Sequence, residues 1–181
     1  MALDAALRDE LVAMAESQRR ARATHLPDGS ALLADAYPAP LRDLEAVHAA
    51  RLWEILDDYE CWPGAALVDE SGAEAAWQLA QQARSDPELQ HRCLAMLELA
   101  VDCGDAPARH YALLLDGVRM ADGRDQVFGS QLVRTPDSDG VTPWPIEDAA
   151  GLDARRAAAG LAPMADYLHA MRAHYSRLSR R

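Results

Sequence analysis

The chain has 181 residues, half of them apolar, and a formal charge of −11. That length suits one domain (1–181) with a sizeable core and that composition excludes general disorder, while the lack of any run of about 18 apolar residues excludes a helical membrane span. All 18 basic residues are arginine, and eight lie near the ends, so the stretch 23–171 holds ten arginines against twenty-five acidic residues; such a body repels phosphate backbones, which disfavours nucleic acid and suits a basic protein partner.

In chain order, a first helix is expected over about 3–23, with Leu3, Leu7, Leu11 and Met14 on one face. The breaks His25-Leu-Pro-Asp-Gly-Ser30 and Tyr37-Pro-Ala-Pro40 make 24–40 an irregular connection. The second helix, about Leu41 to Tyr59, is periodic in Leu44, His48, Leu52, Ile55 and Tyr59, and ends before a turn at Cys61-Trp-Pro-Gly64. Ser71-Gly-Ala-Glu74 has the form of a capping box and opens a third helix through Arg84. Ser85-Asp-Pro-Glu88 opens a fourth, striped by Leu89, Cys93, Met96, Leu97 and Ala100 and stopped by Gly104. A fifth starts at Asp105-Ala-Pro107 and closes near Asp122-Gly123. Residues 126–134, with Val127, Phe128, Leu132 and Val133, read as a short extended or hairpin segment, followed by a loop over 135–145. A short helix from Leu152 to Gly160 precedes a last helix whose seam is Leu161, Met164, Leu168, Met171, Tyr175 and Leu178, a pattern of core packing. The fold class is therefore all-α or nearly so: five to seven helices around one core, with a short extended piece near 126–134.

The first ten residues carry Asp4, Asp9 and Glu10 where a secretory leader needs a basic and then an apolar stretch, so a cytoplasmic protein is expected. Cys61, Cys93 and Cys103 agree: their number is odd, no C-x-x-C occurs, and on one helix Cys93 and Cys103 would stand roughly 15 Å apart, too far for a disulfide. Buried, reduced thiols are expected.

The pattern most suggestive of chemistry is a pair of Glu-x-x-His units, Glu45 to His48 and Glu88 to His91, of the kind that di-iron bundles aim inward. At about 100° per residue, Glu45 and His48 fall on the apolar side of the second helix, but Glu88 and His91 face away from the stripe of the fourth. No metal site and no cofactor are expected. Glu45 and His48 stay open to two readings. They form a buried acid–base pair, or Glu45 sits in an exposed first turn beside a satisfied core histidine; the second is favoured. No nucleophile elbow, phosphate loop or dinucleotide fingerprint is present, although a Ser-His-Asp triad depends on geometry rather than spacing.

Several segments taken in order carry a further signal: Cys61-Trp-Pro-Gly64, Ala75-Ala-Trp-Gln-Leu-Ala-Gln-Gln82, Leu115-Asp116, Gln126-Val-Phe-Gly-Ser-Gln131, Trp144-Pro-Ile-Glu-Asp148, and Arg155-Arg156 to Gly160-Leu161. Over roughly 10–170 the chain resembles a family of bacterial proteins of unknown function with the signatures G-W-P-G, A-A-W-x-x-x-Q-H-A-D, L-x-D-R and Q-x-Y-G-T-Q followed by P-W-P-I-E-D. The resemblance implies no established activity. The chain departs from it at Gln82 in place of histidine, Arg84 in place of aspartate and Gly117 in place of arginine, with His48 where an asparagine is expected. Gln81, Asp116, Gln126 and Gln131 match, so amides and one carboxylate are kept where an imidazole and a cation are lost. An amide does not titrate and is a poor proton shuttle. Gln126 and Gln131 either bind a polar ligand or tie a hairpin through backbone hydrogen bonds.

Two functions follow as expectations. The first is a non-catalytic binding or accessory protein, of immunity or antitoxin type, that uses its acidic surface. The second is an enzyme acting on a polar small molecule, with Glu45, His48 and Asp116 catalytic and Gln81, Gln126 and Gln131 holding substrate.

Overall fold

A computed structural model describes residues 2–26, 37–133 and 141–178. Among these, seven helices and one two-stranded sheet form in the order α1 (Ala5–His25), α2 (Ala39–Tyr59), α3 (Ala65–Gln82), α4 (Pro87–Asp102), α5 (Ala108–Ala121), β1 (Leu132–Val133), β2 (Thr142–Pro143), α6 (Leu152–Ala158) and α7 (Met164–Leu178). The nearly all-α class read from periodicity is the class that forms. Among the described residues no helix is long and apolar enough to cross a membrane. The chain gathers into two compact units, Met1–His110 and Tyr111–Arg181.

In the first unit the buried side chains Leu7 and Leu11 of α1 join Leu41, Leu52, Ile55 and Leu56 of α2, Leu67, Val68 and Leu79 of α3, and Leu89, Cys93 and Leu97 of α4. Asp4 caps α1 by accepting from the Leu7 N–H at 2.9 Å, and its second oxygen takes the Tyr59 hydroxyl at 2.6 Å, which ties the start of α1 to the end of α2. Leu3 is exposed rather than part of the α1 stripe.

The start of α3 corrects the sequence reading. The helix begins at Ala65, where Asp105 serves as a remote cap: its Oδ1 accepts from Ala66 N–H at 2.6 Å and its backbone oxygen from Ala65 N–H at 3.1 Å. Gly64 allows this approach, since a Cβ there would lie 2.1 Å from Asp105 Oδ2. Helical geometry then breaks at Asp69, which adopts φ 58°. Its Oδ1 accepts from Ser71 N–H and hydroxyl and from Gly72 N–H. Asp69, not Ser71, is therefore the cap of the continuing helix. The cysteine expectation is also corrected: only Cys93 is buried, whereas Cys61 is half-buried and Cys103 is exposed.

In the second unit α5 buries Ala112, Leu114, Asp116 and Val118. The expected extended segment shrinks to β1, antiparallel to β2 with Leu132 opposite Pro143 and Val133 opposite Thr142. An isolated parallel bridge pairs Gln126 with Ile146. Residue 134 of the expected extended segment, 135–140 of the expected loop and 27–36 of the expected connection lie outside the described residues. On α7 Met164 is buried, while Leu168, Met171 and Tyr175 are half-buried, so the seam is only partly covered within the described structure.

Candidate functional site

Helix α2 starts two residues before the expected Leu41, which moves Glu45 out of the first turn. Tyr37, just ahead of the helix, and α1 cover it, leaving Glu45 6% exposed and His48, one turn on, 8% exposed. The exposed-carboxylate reading is thereby overturned. One oxygen of Glu45, Oε1, accepts from the Tyr37 hydroxyl, from Gln18 Nε2 at 3.3 Å and from Arg22 Nη1 at 3.4 Å. Arg22 Nη1 also donates to the Tyr37 hydroxyl oxygen at 2.8 Å. Burial first, and then the bond to Glu45, pushes the Tyr37 phenol up to about 12, so it stays a proton donor.

This network orients His48. Gln18 spends its amide hydrogen on Glu45, so its Oε1 is left to accept, and His48 must present Nδ1–H to it across 3.3 Å. Nε2 then lies 3.3 Å from the Ser17 hydroxyl oxygen, whose one hydrogen is donated to the Met14 carbonyl at 2.8 Å. Burial lowers the His48 pKa, which makes the neutral ring the resident form at pH 7.

Arg84 belongs to the same neighbourhood. It lies in the turn after α3 and senses the charges of Arg22 and Glu45 and the Tyr37 hydroxyl. Its guanidinium is held below the ordinary arginine range, first because protein crowds around it and then because Arg22 repels it. Arg84 nevertheless remains open to solvent. On the end of α3, the buried Gln81 Nε2 finds no hydrogen-bond partner among the described residues.

A second cluster in the same unit was not anticipated. His110, 3% exposed, stacks on Trp77 with ring centroids 4.3 Å apart and planes within 8°. Trp77 Nε1 donates to the His110 carbonyl at 3.0 Å. His110 Nε2 lies 3.0 Å from Glu74 Oε2. Burial lowers the His110 pKa more than Glu74 raises it, and Arg109, 3.8 Å from Glu74, adds to the lowering. The indole in Ala75-Ala-Trp77 was a visible signal, but its partner thirty-three residues on was not.

In the second unit Asp116 is fully buried and accepts from the backbone: Val127 N–H at 2.7 Å, Phe128 N–H at 3.0 Å and Ser130 N–H at 2.9 Å. Gln126, equally buried, spends its amide on the backbone as well. Its Oε1 accepts from Gln131 N–H at 2.8 Å, and its Nε2 donates to the Trp144 and Gln131 carbonyls at 2.7 and 3.1 Å. The Gln131 side chain donates to Ser130 Oγ at 3.0 Å. Arg156, 3% exposed, was read only as part of a motif, yet it completes this knot by donating to the Phe128 and Ala162 carbonyls at 2.5 and 2.6 Å while its guanidinium lies 5.0 Å above the Tyr167 ring.

The candidate residues thus fall into two sets. Glu45 and His48 are joined through Gln18 in the first unit, where Gln81 also lies, and Asp116, Gln126 and Gln131 are joined in the second. Among the described residues no group of three His, Cys, Asp or Glu side chains is placed to hold a metal ion. Fold and site together define a mainly helical protein whose polar interior is knotted by arginine, carboxylate and amide side chains. The chain belongs to a family of unknown function (DUF6624), which it matches over residues 5–178. No curated protein and no solved structure matches it.

Proposed function

We propose that this is a non-catalytic binding protein of the cytoplasm, which holds a basic protein partner through its acidic surface. The observation that carries the reading is the employment of the polar residues a catalytic site would need. Asp116 and Gln126 spend their side chains on backbone groups, and Glu45 is enclosed by three donors on one oxygen. The departures from the family signatures point the same way, since Gln82, Arg84 and Gly117 stand where the signatures carry histidine, aspartate and arginine.

The partner's charge is argued from the end of α2. Its last turns carry exposed Glu54, Asp57 and Asp58, followed by Glu60, with no basic residue in the last turn. Carboxylates at a helix C-terminus oppose the helix dipole. Arg51 and Arg92 offset Glu54 and Asp57 at 2.7 and 2.6 Å, and a cationic partner would relieve the rest. The exposed thiol of Cys103 suits a reducing compartment.

Native mass spectrometry of the protein purified from its own cytoplasm tests the reading. A co-purifying basic protein, released by salt and lost in Asp58→Lys/Glu60→Lys, is the expected result. A complex indifferent to both salt and charge reversal sinks the electrostatic form. The alternative, an enzyme with Glu45 and His48 as its acid–base pair, draws support from their linkage through Gln18, and a processed small-molecule mass would favour it.

A further inference from the structure

Two helix faces of this chain carry opposite charge around an accessible apolar side chain. From His169 to Arg177 no side chain of α7 is buried. Asp166, in the first turn, is the one acidic residue of that helix, and the exposed Arg172 and Arg177 follow it. At about 100° per residue these arginines stand to either side of the half-buried Met171, so an apolar seam runs between two cations. The outer face of α2 has the opposite sign. Val47, 65% exposed, shares that face with the exposed Glu54 and Asp58, which follow it at about 10 and 16 Å along the axis. Arg51, between them, is drawn to Glu10 of α1 at 2.6 Å as well as to Glu54 at 2.7 Å, so the end of the helix stays acidic.

A helix that sets an exposed valine in line with carboxylates fits a second helix that flanks an apolar residue with cations. We infer that these two faces pair between copies of the chain, with Met171, Arg172 and Arg177 of α7 in one copy against Val47, Glu54 and Asp58 of α2 in another. Charge complementarity selects this occupant: the second half of α7 carries two arginines and no acid, and the face of α2 it meets is acidic at its end. Two chains of formal charge −11 repel at long range, but physiological salt screens that repulsion beyond about 8 Å and leaves the close contacts to decide. Each copy carries both faces, so a two-fold dimer makes the contact twice. The inference rests on the acidic end of α2 being a binding surface, as proposed above, and names a second copy as what occupies it.

Sedimentation velocity of the purified full chain alone, over a range of micromolar concentrations, tests the pairing. A concentration-dependent dimer is expected. Arg172→Glu/Arg177→Glu and Asp58→Lys/Glu60→Lys should each weaken it by about tenfold or more, since each variant sets like charges against each other. An equimolar mixture of the two variants should associate again, because the reversed α7 of one then meets the reversed α2 of the other in both contacts. Damage to the fold would not be repaired by mixing. A single monomer mass at every concentration overturns the inference, as does a dimer that either variant leaves unchanged, or a mixture that stays monomeric. A monomeric chain that still captures a basic protein, and loses it in Asp58→Lys/Glu60→Lys, would sink the self-pairing while leaving the acidic surface standing.

Discussion

Asp116 offers the sharpest test of whether the buried polar residues serve the fold or chemistry. In Asp116→Asn the retained carbonyl oxygen can still accept from Val127 and Phe128, but an NH2 group replaces the oxygen that accepts from Ser130 at 2.9 Å. One backbone donor is orphaned, at about 1–3 kcal/mol, and the new amide hydrogens point at a donor, at a similar cost. Removal of a negative charge that favours the buried Arg156 adds to this in the same direction. A loss of about 2–5 kcal/mol is expected, and Asp116→Ala, which orphans three donors, should remove most of a domain's typical stability of about 5–15 kcal/mol. Urea unfolding followed by far-UV circular dichroism measures the loss, and hydrogen exchange at residues 127, 128 and 130 locates it. A catalytic aspartate predicts the opposite pattern, with stability kept or raised on substitution. An Asp116→Asn protein within about 0.5 kcal/mol of the parent, with exchange at those amides unchanged, would refute the structural role.

His48 and His110 are both buried with lowered pKa values, so their folded-state affinity for protons is weaker than that of the unfolded chain. Their contribution is complete above about pH 6.5 and is lost as pH falls below it; with both titrating, the slope approaches about 2.7 kcal/mol per pH unit. Urea midpoints across pH 7.5 to 5.5 should fall accordingly, and His48→Gln should reduce the slope; a flat profile contradicts the burial argument. Gly64→Ala forces a Cβ to within 2.1 Å of the Asp105 carboxylate and 2.8 Å of its backbone oxygen, and should cost about 1–3 kcal/mol. Gly104→Ala meets no atom within 4 Å and bears only the strain of φ +73°, about 1–2 kcal/mol, so thermal melts should rank Gly64→Ala as the more damaging. Arg156→Lys keeps the charge but not the fork that reaches two carbonyls, and should cost about 2–4 kcal/mol; equal melting of variant and parent would show that the fork is not needed.

Elements whose cause is local were legible in the sequence. The apolar period of α2 and the Ser85-Asp-Pro-Glu88 opening of α4, whose cap is Asp86, needed only their own residues, and both helices form close to the expected bounds. The start of α3 was not legible, because its cap comes from Asp105, thirty-nine residues beyond Ala66. Glu45 was misjudged for a similar reason. Its burial is imposed by Gln18 and Arg22 from α1 and by Tyr37 from the preceding segment, none of which leaves a mark on the period of α2.

Partners on the main chain are harder still to read, because a backbone carbonyl has no letter of its own. Arg119, Arg155 and Arg156 donate to the carbonyls of Asp125, Val127 and Phe128 respectively, while Asp116 takes the N–H groups of Val127, Phe128 and Ser130. One short segment is thus held from both polarities of its peptide bonds. Gly129 belongs to the same knot: it needs φ +67°, and a Cβ there would lie 3.0 Å from Met164 Sδ. Residues that looked like a substrate site in one dimension are, in three, the means by which an irregular segment satisfies its buried peptide groups without a long sheet.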